Sequence, residues 1–204
     1  MADLSPETRA LLDAVHAGRA DEVALLLAGG ALDPRVDPAV ADNCAIRLAA
    51  ENGHAAVVAL LLGDPRVDPA ARDNYAIRWA AAYGFAEVVA LLLADPRVDP
   101  AADNNFAIRW AADNGHAAAV ALLLGDPRVD PVGDNNFAIR RAAWWGHAGT
   151  VALLLGDLRV DPAALDLPEF AAIRARPDVA GALARRRRWG PLRGAWAAAV
   201  VAGR

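Results

Sequence analysis

A repeat of 31 residues is the feature that most constrains how this chain can fold. Close copies begin at Asp33, Asp64, Asp95 and Asp126, and a weaker copy begins at Asp157. A fixed period between roughly 20 and 50 residues is typical of solenoids, in which similar units stack and bury their apolar faces on one another. We therefore expect a stacked array of units rather than a single globular core.

The parts of one unit follow the same order in every copy. The copy over 64–94 begins with DPRVDP, which predicts a loop because two such close prolines cannot both lie inside a helix. A short helix is predicted from Tyr75 to Tyr83, and a second helix from Ala86 to Ala94 after a turn at Gly84. Asp73-Asn74 is expected to offer a side-chain oxygen to the free amides of the first helix. Neither helix reaches the ~12–15 residues needed for stability alone, so each must pack on its neighbours.

The repeat divides the chain into three parts. A capping helix pair is predicted over 1–32, and a degenerate fifth unit with a C-terminal cap over 157–204. In the C-terminal part we expect a short helix at 170–175, a partner helix at 177–188 and a last helix at 195–201. The four full units between these parts are 33–63, 64–94, 95–125 and 126–156.

The unit resembles the ankyrin repeat. The run NYAIRWAAAYGFAEVVALLL is similar to the family pattern TPLHxAAxxGHxxVVxLLL. Gly53-His54, Gly115-His116 and Gly146-His147 match its glycine-histidine turn, and the similarity extends over about 33–184. This resemblance implies an all-α solenoid of stacked helix-turn-helix units that binds other proteins. Because the unit is shorter than the family's usual length of about 33 residues, we expect short loops in place of full β-hairpins.

The loop positions repeat in charge as well as in shape. Arginines recur at the third position of every unit and would stack on one another, with neighbouring aspartates to screen them. The aspartates of DPRVD are interpreted as turn residues rather than as calcium ligands, since aspartate before proline commonly starts a loop. The stacked arginines are Arg35, Arg66, Arg97, Arg128 and Arg159.

The sequence offers no motif of an enzyme. It lacks a glycine-rich phosphate loop, HExxH and GxSxG, and Ser5 is its only serine. Three of the four histidines belong to glycine-histidine turns, where we expect a structural hydrogen bond to the adjacent loop. Cys44 is the only cysteine, which excludes a disulfide within the chain and a cysteine-rich zinc site, and we expect it to be a small packing residue. We predict no catalytic residue, no cofactor and no metal.

Charge and hydropathy limit the location and the partners. The net charge of −4 argues against general nucleic-acid binding, and no apolar run approaches the ~18 residues that span a membrane. The N-terminus lacks the pattern of a secretory signal. We expect an intracellular, cytoplasmic monomer with an unknown protein partner, no membrane and no specific nucleic acid. Arg185–Arg188 is either a nuclear signal or a solvated helix end.

All 21 basic residues are arginine, and the chain contains no lysine. A GC-rich genome explains this composition, and avoidance of ubiquitin conjugation is the alternative. Leu167-Pro168-Glu169 also resembles the opening of an F-box. Together these features motivate a second functional hypothesis, a substrate adaptor whose C-terminal region recruits a ubiquitin ligase.

A candidate partner surface follows from helix geometry. At 100° per residue, Ile77, Ala80 and Ala81 share one side of their helix, while Trp79 and Tyr83 lie on the opposite side. Stacked units would align the second side into rows, with acidic and amide residues at the loop tips. The rows are Leu48-Glu51-Asn52, Trp79-Ala82-Tyr83, Trp110-Asp113-Asn114 and Arg141-Trp144-Trp145. The residues that we predict to contact a partner are Trp79, Tyr83, Asp103, Asn104, Trp110, Asp113, Asn114, Asp134, Asn135, Arg141, Trp144 and Trp145.

The tryptophans of these rows have two interpretations each. Trp79 and Trp110 either wedge between neighbouring first helices or face the partner. Trp144 and Trp145 replace residues that are polar in two sibling units, and tryptophan often anchors interfaces. They either bind a partner or pack on the C-terminal cap. The acidic and amide tips would suit a basic segment of the partner.

Overall fold

The computed structural model describes residues 4–30 and 35–187. None of these residues lies in a β-strand, and two short 3₁₀ turns, Pro162–Leu165 and Pro168–Phe170, interrupt the helices. The predicted helix at 195–201 and residue Arg188 lie outside the described residues. The helices are α1 (Pro6–His16), α2 (Ala20–Gly30), α3 (Val40–Glu51), α4 (Ala55–Leu62), α5 (Ala71–Ala82), α6 (Ala86–Leu93), α7 (Ala102–Asp113), α8 (Ala117–Leu124), α9 (Gly133–Trp144), α10 (Ala148–Gly156), α11 (Ala171–Arg174) and α12 (177–187).

Helices α3, α5, α7 and α9 form one row, and α4, α6, α8 and α10 form a second row behind it. Successive helices of the first row begin 31 residues apart. Adjacent helices of the first row pack on one another, and each also packs on the second helix of its own unit. The predicted all-α solenoid is confirmed.

The core runs along the array between the two rows. The isoleucines of the first helices, Ile46, Ile77, Ile108 and Ile139, are completely buried. The alanines beside them are at most 5% exposed, and their small side chains let neighbouring helices approach closely. Valine and leucine of the second helices close the core from the other side. Each unit buries its apolar side against its neighbours, as the short helices require.

The entry to each first helix differs from the prediction. Arg72, Asp73 and Asn74 are left-handed, with φ between 56° and 57°, and right-handed helix follows from Tyr75. Asn74 does not cap its own helix, because its Oδ1 accepts a 2.7 Å hydrogen bond from the amide of Asp99 in the next unit. Asparagine and aspartate tolerate this backbone region because their short side chains are polar. The same bond joins Asn43 to Asp68 and Asn105 to Asp130.

The loop arginines form a ladder along the array. Arg97 pairs with Asp95 at 2.6 Å in its own loop, and its Nη1 donates to the carbonyl of Val67 in the preceding unit at 2.8 Å. The hydrogen bond from Arg97 lowers the pKa of the Asp95 carboxyl. Each arginine therefore joins two units through a charged group and a backbone oxygen. Arg66, Arg128 and Arg159 make the corresponding bonds.

Glycine is required at the turn between the two helices of a unit. Gly84 has φ of 80°, and a Cβ there would lie 2.5 Å from the ring of His116 in the next unit. The histidine ring thus occupies the space that a side chain would fill. His147 packs on Gly115 of the preceding unit in the same way, and its Nε2 lies 3.1 Å from the carbonyl oxygen of Asp113.

At both ends of the array, other side chains make the hydrogen bonds that the asparagines and the loop arginines make between the internal units. At the N-terminal end, Thr8 Oγ1 accepts a 3.0 Å hydrogen bond from the amide of Asp37, as the asparagines do elsewhere. At the C-terminal end, Arg186 donates to the carbonyls of Asp157 at 2.8 Å and of Val160 at 2.5 Å. The Val160 carbonyl is the one that a next loop arginine would bind. Arg186 therefore closes the arginine ladder.

Candidate protein-binding surface

The last residue of the first helix is buried in the second and third units and exposed to solvent in the fourth. Ala82 is 4% exposed and Asp113 is 7% exposed, because the next first helix packs beside them. Their counterpart Trp144 is 61% exposed. The fifth unit has only the four-residue helix α11 at this place, which is too short to cover it. Asp113, one of the residues predicted to contact a partner, is therefore buried beside the next first helix rather than open to solvent.

Asp113 organises the residues of the following unit. Its Oδ1 accepts hydrogen bonds from Nε of Arg141 at 2.6 Å and from Nε1 of Trp145 at 2.9 Å. Its backbone oxygen meets His147. Since a buried carboxylate needs such partners, Asp113 is a positioning residue for Arg141 and Trp145.

Trp145 is exposed yet held in place. Its side chain is 57% exposed, while its indole nitrogen is fixed on Asp113. The guanidinium carbon of Arg141 lies 5.5 Å from the centre of its ring, within the range of a cation–π contact. The ring therefore presents a rigid apolar face to the solvent.

Trp144 borders an open cavity at the end of the first-helix row. The cavity has a volume of about 440 Å³, and the C-terminal region contributes to its wall. Phe170 of that region is buried, but Trp144 remains mostly exposed. The part of the C-terminal cap that the structure describes, up to residue 187, therefore does not cover Trp144. The other named lining residues are Asp134, Asn135, Phe137, Arg140, Arg141 and Glu169.

Trp79 and Trp110 differ in their surroundings. The ring of Trp79 is half-buried and lies 5.6 Å from Phe106 of the next unit, so it wedges between first helices. Trp110 is 38% exposed and meets Phe106 on its own helix at 5.5 Å. Tyr83 is 46% exposed and stacks near Trp79. A continuous aromatic strip thus leads along the middle of the array.

The loop tips carry less free negative charge than the sequence suggests. Asp134 pairs with Arg109 at 2.8 Å, and Asp103 pairs with Arg78. Asp42 pairs with Arg72 at 2.7 Å. Asn104 and Asn135 are exposed at the tips, with left-handed φ of 56° and 55°.

Asn114 takes part in a bond between units. Its Nδ2 donates a 2.9 Å hydrogen bond to the carbonyl oxygen of Ala82 in the preceding unit. The residue as a whole is exposed, so it remains within reach of a partner.

The described residues add two further observations. Among residues 4–30 and 35–187, no cluster of three or more His, Cys, Asp or Glu has the arrangement of a metal site. Within the same ranges, no helix has the length and apolar character to cross a membrane.

Comparison with known families identifies the repeat. The family model "Ankyrin repeats (3 copies)" matches residues 74–166. The repeats within residues 74–166 are therefore ankyrin repeats. No curated protein matches the chain. Ankyrin repeats indicate a protein–protein interaction module in general, and the family is generally non-enzymatic.

Sequence reasoning missed two residues at the open end of the array. Arg140 and Phe170 line the cavity beside Trp144, but neither was selected. The available signal was the break in the fifth unit, where Leu165 occupies the register of Asp103 and Asp134. The family pattern alone does not show that this break uncovers the preceding helix.

Proposed function

We propose that this ankyrin-repeat protein is a non-enzymatic binding module whose partner docks on the first-helix and loop-tip surface, centred on Trp144 and Trp145. The observation that carries the proposal is the exposure of two adjacent indoles, at 61% and 57%, on one rigid unit. Exposed neighbouring aromatic rings are a common mark of interaction sites. Tryptophan and arginine are also the residues that most often dominate binding energy.

The geometry around Trp145 supports the same surface. The bond from its indole nitrogen to Asp113 and the contact with Arg141 fix the ring before any partner arrives. A fixed side chain loses little conformational entropy on binding, which favours affinity. Trp144 adds an apolar wall to the neighbouring cavity.

Affinity capture from the native cell tests this proposal. Wild type is compared with the double variant Trp144→Ala/Trp145→Ala, and each captured protein is quantified. We expect the variant to lose at least about 90% of a specific partner, since two anchors of about 2 kcal/mol or more each would be removed. Unchanged capture by the variant would refute the docking surface.

A matched control removes another exposed apolar side chain. Leu25 is 75% exposed on α2, at the opposite end of the array. Leu25→Ala should capture the partner as the wild type does. Urea unfolding of all three proteins checks that the variants retain the fold.

The adaptor hypothesis depends on the C-terminal region. Residues 157–187 form two 3₁₀ turns, the short helix α11 and helix α12. No arrangement of these described residues favours a ligase subunit as the partner, so the adaptor role stays a prediction from the sequence. The nuclear signal at Arg185–Arg188 likewise stays a prediction, although Arg186 is engaged in the arginine ladder.

A further inference from the structure

The first helices carry a second row of arginines with a recurring environment. Arg109 donates to the carboxylate of Asp134 in the next unit at 2.8 Å, and its guanidinium carbon lies 5.3 Å from the ring of Phe137. Arg78 finds the same pair in its next unit, with Asp103 as the ion partner and Phe106 at 5.1 Å. Each of these arginines thus contacts an acidic residue of the next unit and the phenylalanine three residues after it.

Arg140 is the next arginine of this row, and its next unit lacks both groups. In register with the acid and the aromatic residue, the fifth unit has Leu165 and Pro168. Among the described residues, Arg140 makes no hydrogen bond, ion pair or ring contact. Its side chain is exposed, whereas those of Arg78 and Arg109 are 14% and 15% exposed.

Arg140 lines the cavity beside Trp144. The cavity of about 440 Å³ falls within the usual range of ligand sites and has Phe137 and Phe170 on its apolar walls. Arg141, the second cation there, is already bound to Asp113. Glu169 also lines the cavity, but no ion pair joins it to Arg140. The cavity therefore offers one open guanidinium next to aromatic surface.

We propose that this cavity binds a partner segment in which an acidic residue is followed, three residues later, by an aromatic residue. The partner's carboxylate takes the place that Asp134 has on Arg109, and its ring takes the place of Phe137. Trp144 covers the ring from the other side. This inference rests on the proposed function and deepens it, because it names the chemistry of the docking segment at the open end. It also replaces, at this end, the basic segment that the tips suggested.

Charge complementarity favours an acidic segment over a basic one in this cavity. An arginine–carboxylate hydrogen bond is stronger than a neutral one, and a half-enclosed site screens it less than open solvent does. A ring stacked on the guanidinium adds a cation–π contact. An acidic and aromatic segment gains both terms, whereas a basic segment meets the repulsion of Arg140.

The test uses the full chain and a synthetic peptide that copies residues 99–109, DPAADNNFAIR, which contains the acid and the phenylalanine at the required spacing. Binding is followed by the NMR signal of the Trp144 indole. Two peptide analogues carry Asp103→Asn or Phe106→Ala. We expect each analogue to bind about tenfold more weakly than the parent, as the loss of one charge-assisted bond or one stacked ring implies.

Variants of the protein locate the effect. Arg140→Gln should weaken the parent peptide about tenfold and abolish the difference between the parent and its Asp103→Asn analogue. Arg174→Gln, on the exposed ion pair with Asp166, is the matched control and should leave binding unchanged. Glu169→Gln should strengthen binding, because it removes from the cavity a negative charge that repels the carboxylate of the peptide.

The outcomes separate this inference from the proposed function. The acid–aromatic specificity would be overturned by any of three results: the parent peptide does not bind, all three peptides bind equally, or inorganic phosphate at the same concentration as the peptide displaces it completely. If one of these results appeared while the Trp144→Ala/Trp145→Ala variant still lost its captured partner, the docking surface would stand with a different chemistry. One of these peptide results together with unchanged capture by the Trp144→Ala/Trp145→Ala variant would refute both proposals.

Discussion

The indole Nε1 of Trp145 donates a 2.9 Å hydrogen bond to Oδ1 of Asp113, which lies in the preceding unit and is 7% exposed. Because Arg141 binds the same carboxylate oxygen, one aspartate fixes two side chains of the proposed docking surface. The surface of one unit is thus built by its neighbour.

Asp113→Ala should lower the free energy of unfolding by about 1.5–3 kcal/mol, since it removes hydrogen bonds to a charged group and leaves Arg141 without its counter-ion. Urea denaturation measures the change. Trp145→Phe keeps most of the ring and removes only the donor, so its loss should be smaller, about 0.5–1.5 kcal/mol. Equal stability of both variants and the wild type would show that the network contributes nothing.

The asparagine bonds between units predict a contrast between Asn105 and Asn136. Asn105 Oδ1 accepts from the amide of Asp130 at 2.7 Å, whereas the corresponding oxygen of Asn136 is buried without a partner. Asn105→Ala should cost about 1–3 kcal/mol, because it leaves a backbone amide unsatisfied. Asn136→Ala should cost clearly less. Thermal unfolding of the two variants checks the order, and a reversed order would contradict it.

The arginine ladder predicts acid sensitivity. Hydrogen bonds from the loop arginines lower the pKa values of Asp64, Asp95, Asp126 and Asp157 in the folded chain. A carboxyl with a lowered folded pKa contributes stability above its unfolded pKa of about 3.9, and this contribution is lost as the pH falls through the folded pKa. Stability should therefore decline as the pH is lowered below about 4.

Urea unfolding at a series of pH values measures this decline. The variant Asp95→Asn should show a shallower dependence in the same acidic window, because one of the four shifted carboxyls is gone. An unchanged slope in this variant would show that the ion pair with Arg97 is not linked to folding.

The end of the ladder predicts unequal roles for two adjacent arginines. Arg186 donates to the carbonyls of Asp157 and Val160, whereas Arg187 is exposed. Arg186→Ala should lower the free energy of unfolding by about 1–3 kcal/mol, because the carbonyl of buried Val160 loses its donor. Arg187→Ala should stay within about 0.5 kcal/mol of the wild type. Equal effects would show that Arg186 is only part of a solvated charge run.

The sequence was sufficient to predict the solenoid because stacking repeats the same requirements in every unit. These are the 31-residue period, the turn glycine exemplified by Gly84 and the buried isoleucine exemplified by Ile108. It also singled out Trp144 and Trp145, since they stand where siblings are polar. It could not reveal the burial of Asp113, which depends on how closely the next first helix lies. The bond from Asn74 to the next unit and the role of Arg186 were hidden for the same reason. Both depend on the offset between units, which no pattern within one unit contains.

Photo-crosslinking from a defined position tests the docking surface most directly. A photoreactive benzoylphenylalanine replaces Trp144 in one protein and Leu25 in another, and both are irradiated in the native cell. A discrete covalent adduct with a partner protein is expected from position 144, and none with that partner from position 25. No adduct at 144, or the same adducts from both positions, would contradict it.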